Sequence, residues 1–268
     1  MANEDSADIQ LDRHNDIFRG DLAEYSELPR RFPLDLGVVD AIGLLRDTIH
    51  PSAQECGAIL TKTAANELKT VSVGKPGQGI VEMSHLTLDE KWIRWIESGR
   101  VKVFEEPKES SPHIVFAPKT LAEQHADTFK KFIDAGIQVR LDAVPCALFH
   151  THPSGNLPSS GDVSQILYDF QGTRLIEGIV TKTETFFLIP SKQTPDLSSS
   201  EKYRFPLMFT DEMERQEGSV VEHLLSKGKS SVGAINAARY ELLRTASSRY
   251  DFGLYCVIAG KIEAERIF

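Results

Sequence analysis

Two hydrophobic periodicities alternate along this chain and predict a protein built from both helices and strands. Residues 36–49 place apolar side chains three and four positions apart, as on one face of an amphipathic helix. Residues 55–60 and 146–149 are short apolar runs typical of buried strands, and residues 176–189 alternate as a hairpin that turns near Thr183. The pattern therefore predicts an α/β fold in which helices flank a curved mixed β-sheet.

Helix-start signals extend this prediction over the rest of the chain. Thr87 and Thr120 each open a four-residue capping-box pattern, and Ser231 is a predicted N-cap. The helix after Thr120 is expected to lie against the sheet. Further strands are predicted at residues 70–73, 252–258 and 261–268, and helices after residue 90, at 122–133, from Asp162 onward, and at 212–225 and 232–247.

Two segments before the second capping box have alternative interpretations. Residues 74–79 are glycine-rich, but they lack the Gly-Lys-Ser/Thr ending of a phosphate-binding P-loop, so a flexible connection is predicted. Trp92 and Trp95 form an aromatic stripe on the predicted helix. Such a stripe is usually part of the core, and the alternative is that it helps to hold a partner.

Composition and charge narrow the class of protein. The chain has 268 residues, 41% of them hydrophobic, which suffices for one elaborated domain given ~100–200 residues per domain. A net charge of −9 argues against nucleic acid as a partner. No apolar run approaches the ~18 residues of a membrane span, and the first residues lack a signal-peptide pattern. We therefore expect a cytoplasmic protein.

The three cysteines are expected to be structural. Cys56, Cys146 and Cys256 are an odd number without a Cys-x-x-Cys pair, and each lies in an apolar run. They are predicted to be buried, reduced thiols and not metal ligands.

The strongest chemical signal follows the apolar run 146–149. His150 and His152 are spaced i, i+2, so on a strand both imidazoles project from the same face. A Gly/Asn/Pro loop follows, and Ser159 can cap a helix whose first turn carries Asp162. Two histidines and one carboxylate suit a catalytic zinc ion, which takes three protein ligands and keeps one position open.

This motif resembles the signature of the JAMM (MPN+) zinc metalloproteases. The family pattern is His-x-His, a spacer, then Ser-x-x-Asp, here His150-Thr-His152-Pro and Ser159-x-x-Asp162. The spacer is one residue shorter than usual, so either Ser159 or Ser160 fills the serine position, and the helix-cap geometry favours Ser159. The resemblance implies one zinc ion held by His150, His152 and Asp162.

The resemblance also implies a fold and a domain organisation. It covers residues 36–190 and implies the MPN/JAMM fold, which is cytidine-deaminase-like. We expect an acidic, flexible tail over residues 1–34 and a catalytic domain over 35–205, with an insertion at about 74–112 that shapes the substrate groove. Residues 206–268 are expected to complete or to extend this domain.

The family's catalytic glutamate lies on an earlier strand, in the pattern Glu-x-x-Gly/Ala-apolar-apolar. Glu55 and Ala58 match this pattern, which makes Glu55 the implied general acid/base. A competing register aligns Gly57 with the family's small residue and puts Gln54 in the catalytic position. In the first register Glu55 accepts a proton from the attacking water, and the hydroxyl of Ser159 stabilises the oxyanion.

The substrate class also follows from the resemblance. It implies hydrolysis of an isopeptide or peptide bond after the C-terminus of a ubiquitin-like protein, in a conjugate or a precursor. An extended tail of this kind can add as a strand to an open sheet edge. The alternatives are a RadC-like protein, which shares the His-x-His-Pro-Ser-Gly run, a processing enzyme for a sulfur-carrier protein, and a zinc-binding MPN scaffold without turnover.

Overall fold

The computed structural model describes residues 17–19, 22–49, 54–78, 85–104, 114–168 and 175–268. The strands are β1 (Arg31–Pro33), β2 (Gln54–Thr63), β3 (Leu68–Gln78), β4 (His85–Thr87), β5 (Ile114–Ala117), β6 (Gln138–Leu141), β7 (Ala143–Thr151), β8 (Ile176–Val180), β9 (Glu184–Pro190), β10 (Phe252–Ile258) and β11 (Glu263–Arg266). The helices are α1 (Leu36–Thr48), α2 (Glu90–Glu97), α3 (Lys119–Gln124), α4 (Ala126–Asp134), α5 (Ser160–Leu167), α6 (Pro206–Ser226) and α7 (Ser231–Tyr250).

Eight strands form one curled mixed sheet in the order β1-β11-β10-β9-β8-β7-β2-β3. Its neighbouring strands are antiparallel, with the exception of the parallel pair β7 and β8. Parallel neighbours require a crossover connection, and α5 lies in that connection. The predicted α/β architecture with a mixed sheet is confirmed.

One face of the sheet packs against α1. The side chain of Asp35 caps this helix by accepting a hydrogen bond from the backbone N–H of Gly37 at 2.8 Å. Apolar side chains at helical spacing then point inward, so the helix buries one stripe and leaves the other face to solvent. The buried helix residues are Val38, Ala41, Ile42 and Leu45, and they share a core cluster with strand residues such as Phe149 and Phe187.

A glycine on β8 allows this core to close. Gly178 lies beside Phe149 in the parallel pair, and a Cβ atom at Gly178 would lie 2.4 Å from the Phe149 ring. The ring also meets Phe187 edge-on, with centroids 6.0 Å apart. Only a residue without a side chain fits here, and β7 is thereby held tightly against β8 next to His150.

The other face is covered by α5, α6 and α7. Phe209 and Met213 of α6 and Leu243 of α7 are buried against strand residues of this face. The strands β10 and β11 lie within the main sheet, so the last part of the chain completes the domain. No helix among the described residues is long and apolar enough to cross a bilayer.

The strands β4, β5 and β6 form a separate, parallel three-stranded sheet. It has its own core, in which Ile93 of α2 and Phe132 of α4 are fully buried. Ile114 and Phe116 of β5 pack on Ile59 and Leu148 of the main sheet. The chain between β3 and β7 therefore folds as a small α/β unit against the same face as α5.

This unit differs from the predicted insertion at residues 74–112. Residues 74–78 continue β3 and are not a loop, whereas the unit extends to Leu141. The predicted helix at 122–133 is divided at His125 into α3 and α4, and its buried residues face the small sheet instead of the main one. Helical periodicity identified the apolar stripe in part, because Phe129 and Phe132 are buried but Ile133 is 63% exposed. It also does not indicate which sheet covers the stripe.

The predicted flexible tail at residues 1–34 is wrong for residues 17–19 and 22–34, whereas residues 1–16, 20 and 21 lie outside the described part. Phe18, Leu28 and Phe32 are buried in the main core, and β1 pairs with β11 at the edge of the sheet. These apolar residues are separated by acidic and polar ones, which dilutes the sequence signal for burial. The strand that pairs with β1 is β11, which lies at the other end of the chain.

Three helix starts also differ from the sequence prediction. Asp89, not Thr87, caps α2 by accepting from the N–H of Trp92 at 2.8 Å, and Ser230 instead of Ser231 caps α7. The second capping box is absent, because α3 follows Pro118 without a side-chain cap. Each start lies within two residues of its predicted position.

The cysteines are free thiols, as expected, but they are only partly buried. All three keep some exposure to solvent. The thiol of Cys146 donates to the carbonyl of Leu60 at 3.2 Å, and burial raises its pKa to about 12. Such a thiol is neutral and weakly reactive at physiological pH, which agrees with a structural role.

Candidate metal centre

The site lies at the end of β7, on the face that α5 and the small sheet cover. His150 and His152 are 8% and 9% exposed, and their imidazoles project from the same side of the chain. Their Nε2 atoms are 3.0 Å apart. This juxtaposition follows from the alternation of side chains in a strand and matches the sequence prediction.

Asp162 reaches the two histidines from the first turn of α5. Ser159 is the N-cap, and its hydroxyl donates to Asp162 Oδ2 at 2.8 Å. The backbone N–H of Ser159 donates to the same oxygen at 2.5 Å, which completes a capping box. Ser159 is therefore the capping serine, whereas Ser160 is the first helical residue and its hydroxyl lies 3.5 Å from Glu214.

Each of the three side chains offers one ligand atom, and these atoms lie within 4.8 Å of one another. Asp162 Oδ1 lies 3.0 Å from His150 Nε2, and Asp162 Oδ2 lies 3.6 Å from His152 Nε2. Tetrahedral zinc bonds of 2.0–2.2 Å place neighbouring ligand atoms about 3.3 Å apart. The separations of His150 Nε2 from His152 Nε2 and from Asp162 Oδ1, both 3.0 Å, are near that value, and the 3.6 Å separation of His152 Nε2 is measured to the other carboxylate oxygen, Oδ2. The donor set and its spacing thus fit zinc.

Both histidines are oriented by a second hydrogen bond. His150 Nδ1 lies 2.8 Å from Glu177 Oε1, and His152 Nδ1 lies 3.4 Å from the carbonyl oxygen of Asn156. With the proton on Nδ1, the lone pair of a neutral imidazole is on Nε2, the atom that faces Asp162. Metal-ligating histidines commonly have a partner of this kind.

The electrostatics of the group are dominated by burial and by opposite charges. Burial lowers the pKa of His150, but Asp162 and Glu177 outweigh it, and the pKa is well above its ordinary value. Burial also lowers the pKa of His152, and there it prevails. Burial raises the pKa of Asp162, but the nearby imidazoles bring it well below its ordinary value. The cluster therefore combines an anionic oxygen with nitrogens of unequal basicity.

Glu55 lies beside this group without belonging to it. Gly57 of β2 is paired with His150 of β7, and the pairing of β2 with β3 is irregular between Glu55 and Gly57. At that irregularity the N–H of Cys56 donates to the hydroxyl of Thr151 at 2.8 Å. Burial raises the pKa of Glu55, His150 lowers it and Asp162 raises it, with a net increase. Its carboxyl thus senses the charges of two proposed ligands.

Two contributors to the site were not predicted from the sequence. Glu177 is an acidic residue within a strand that is entirely buried. A charged residue in an otherwise apolar strand was the sequence signal that could have indicated its role. Arg239 of α7 donates to the carbonyl of Leu157 at 3.2 Å and to Glu217 at 3.0 Å, which ties the loop before Asp162 to the C-terminal helices. Nothing in the sequence pattern around Arg239 indicates this contact.

The aromatic stripe of α2 belongs largely to the small unit. Trp92 and Trp95 meet edge-on with ring centroids 5.5 Å apart, and Trp92 packs against the core of that unit. Both keep partial exposure, and Lys91 lies 4.5 Å above the Trp95 ring.

The sequence-predicted residues His150, His152 and Asp162 are thus brought together, with Ser159 as the cap and Glu55 adjacent. Comparisons of the chain with family models, curated proteins and solved structures gave no match.

Proposed function

We propose that this protein is a zinc metallopeptidase of the JAMM type, with an MPN-like fold, that hydrolyses the bond after the C-terminus of a ubiquitin-like protein. One observation carries the proposal. Glu55 lies on β2 two residues before Gly57, which pairs with His150, and the pKa of its carboxyl responds to the charges of His150 and Asp162. A structural ion-pair cluster needs no such neighbour, whereas hydrolysis needs a base next to the metal.

Each residue then has a chemical role. Zinc, when held by His150, His152 and Asp162, supplies Lewis-acid activation of water and of the scissile carbonyl. Glu55, whose pKa is raised, accepts the proton of the attacking water and returns it to the departing amine. Ser159 fixes Asp162 through its hydroxyl. This hydroxyl has one hydrogen, so the predicted role as an oxyanion donor requires it to turn from Asp162 to the substrate.

The sheet edge next to the site supports an extended peptide substrate. The last strand in the sheet order is β3, which neighbours the strand that carries Glu55. Its outer N–H and C=O groups face away from β2, and a tail in extended conformation can pair with such an edge. The C-terminal tail of a ubiquitin-like protein has this conformation, and its final bond is then carried towards Glu55.

The metal part of the proposal is tested by metal analysis. Wild-type protein reconstituted with zinc is expected to retain about one ion per chain after dialysis, as in a single-metal site. His152→Ala and Asp162→Ala should lose it. His125→Ala is the matched control, because this histidine also contacts carboxylates, Glu97 and Glu90, but lies outside the group. Equal loading of all variants would remove the proposed site.

The peptidase part is tested with two defined probes. The first is ubiquitin joined through its C-terminal glycine to a lysine side chain, and the second is a short Gly-Gly peptide joined to lysine in the same way. Zinc-loaded wild type should cleave the first probe faster, and chelation should stop the reaction. A protein that binds zinc but cleaves neither this probe nor equivalent fusions of other ubiquitin-like proteins would contradict the proposed activity and leave the metal site intact.

A further inference from the structure

Glu177 is the most deeply buried acidic residue that contacts the metal centre. It is 2% exposed and lies on β8 between apolar residues that are also buried. Burying a carboxylate without compensation strongly destabilises a fold, so a residue of this kind needs a specific partner. The partner here is His150, at 2.8 Å.

The main sheet fixes the position of this carboxylate. Glu177 is paired with Leu148 in the parallel register of β7 and β8, and His150 is paired with Ile179. Side chains two residues apart share a face, so Glu177 and Ile179 project to the side of His150. The carboxylate therefore approaches the imidazole from a central strand, independently of the loop that carries Asp162.

The Nδ1 atoms of the two histidines consequently have different partners. His150 Nδ1 lies 2.8 Å from a buried carboxyl oxygen, whereas His152 Nδ1 lies 3.4 Å from a backbone carbonyl oxygen of the loop. A carboxylate acceptor strengthens a hydrogen bond and makes the opposite ring nitrogen a better electron donor. His150 is thus the rigid, more basic ligand of the pair.

We infer that Glu177 is a positioning residue of this centre, which sets the tautomer and orientation of His150 and thereby strengthens metal binding. This inference rests on the metal site of the proposed function and not on the peptidase activity. Its effect is transmitted entirely through the Nδ1 atom of His150.

The test uses Glu177→Gln and Glu177→Leu, with zinc affinity measured by competition against a chromogenic chelator. Loss of a supporting carboxylate typically weakens metal binding by ~10–100-fold, and both variants should fall in that range. Glu177→Leu leaves the Nδ1 atom of His150 without a partner and should also destabilise the metal-free protein, whereas Glu177→Gln keeps an acceptor oxygen and should unfold close to wild type. A residue that serves only packing would not separate stability from metal affinity in this way.

Thr185→Val is the control for general damage to the sheet. Thr185 is fully buried on β9 and its hydroxyl accepts from Arg46, so the variant should lose stability but keep wild-type zinc affinity. Folded Glu177 variants that bind zinc as tightly as wild type would overturn the inference.

A second measurement separates this inference from the proposed function. Nitrogen NMR of the metal-free protein, at a pH where His150 is neutral, should find its proton on Nδ1 in wild type and a mixture of tautomers in Glu177→Leu. If wild type bound no zinc, the proposed function would be refuted, but the tautomer of His150 could still be measured in the metal-free protein. An unchanged tautomer in Glu177→Leu would refute the positioning role.

Discussion

Glu55 is the residue on which turnover is expected to depend, although it contributes no ligand atom. Glu55→Gln should keep the fold and the bound zinc, because the amide is nearly the same size as the carboxyl. Cleavage should fall by roughly 10²–10⁴-fold, since a neutral amide cannot accept the water proton. Zinc content and single-turnover cleavage of the ubiquitin–lysine probe measure the two effects separately.

Gln54→Ala decides between the two registers of the catalytic strand. In the register proposed here, this change leaves cleavage close to wild type. An active Glu55→Gln protein together with an inactive Gln54→Ala protein would show that the base had been assigned to the wrong residue.

The helix α5 connects a local folding signal to the metal centre. Ser159→Ala removes a hydroxyl that donates to the carboxylate of Asp162 and accepts from the backbone N–H of the same residue. Loss of an N-cap typically costs about 0.5–2 kcal/mol of stability, and here zinc affinity should also fall several-fold because Asp162 becomes less restrained. Thermal unfolding and chelator competition measure the two losses.

Ser230→Ala is the matched control for this prediction. Ser230 caps α7 by accepting from the N–H of Gly233 at 3.3 Å, in a helix without a proposed ligand. It should show a similar loss of stability with unchanged zinc affinity. Equal zinc affinities for the two variants would mean that the cap of α5 has no part in metal binding.

The strands explain which features were predictable from the sequence. His150, His152 and Asp162 are close in the chain, so strand alternation and one helix cap suffice to bring them together. The role of Glu177 depends on the parallel alignment of β7 with β8, which no local pattern specifies. The burial of Phe32 likewise depends on β11, at the opposite end of the chain.

Over the whole protein, stability and metal binding are expected to respond to pH in opposite directions. A raised histidine pKa contributes stability that is present below the ordinary value of 6.5 and is lost as the pH rises through the folded-state value, as for His150. The contribution of Glu177 to stability also falls as the pH rises, because burial raises its pKa from 4.5 to about 7. The metal-free protein should therefore lose stability between pH 4.5 and about 7 through Glu177, and from pH 6.5 upward through His150.

The zinc-loaded protein should behave differently, because metal binding displaces the proton of His150. Zinc affinity should rise up to about tenfold per pH unit while that proton is held. The difference in Tm between the two forms should therefore widen from pH 6.5 upward. Thermal unfolding of both forms over this range tests the expectation, and a constant difference would contradict it.

The pairing of β2 with β7 also sets an order of maturation. The three proposed ligands lie within residues 150–162, but Glu55 joins them only after the small α/β unit has been looped out between the two strands. Closing a long loop is slower than forming local contacts. A refolding chain should thus capture zinc before it regains cleavage, and simultaneous recovery in stopped-flow experiments would contradict this. An incompletely folded molecule would hold its metal yet remain harmless to cellular peptides.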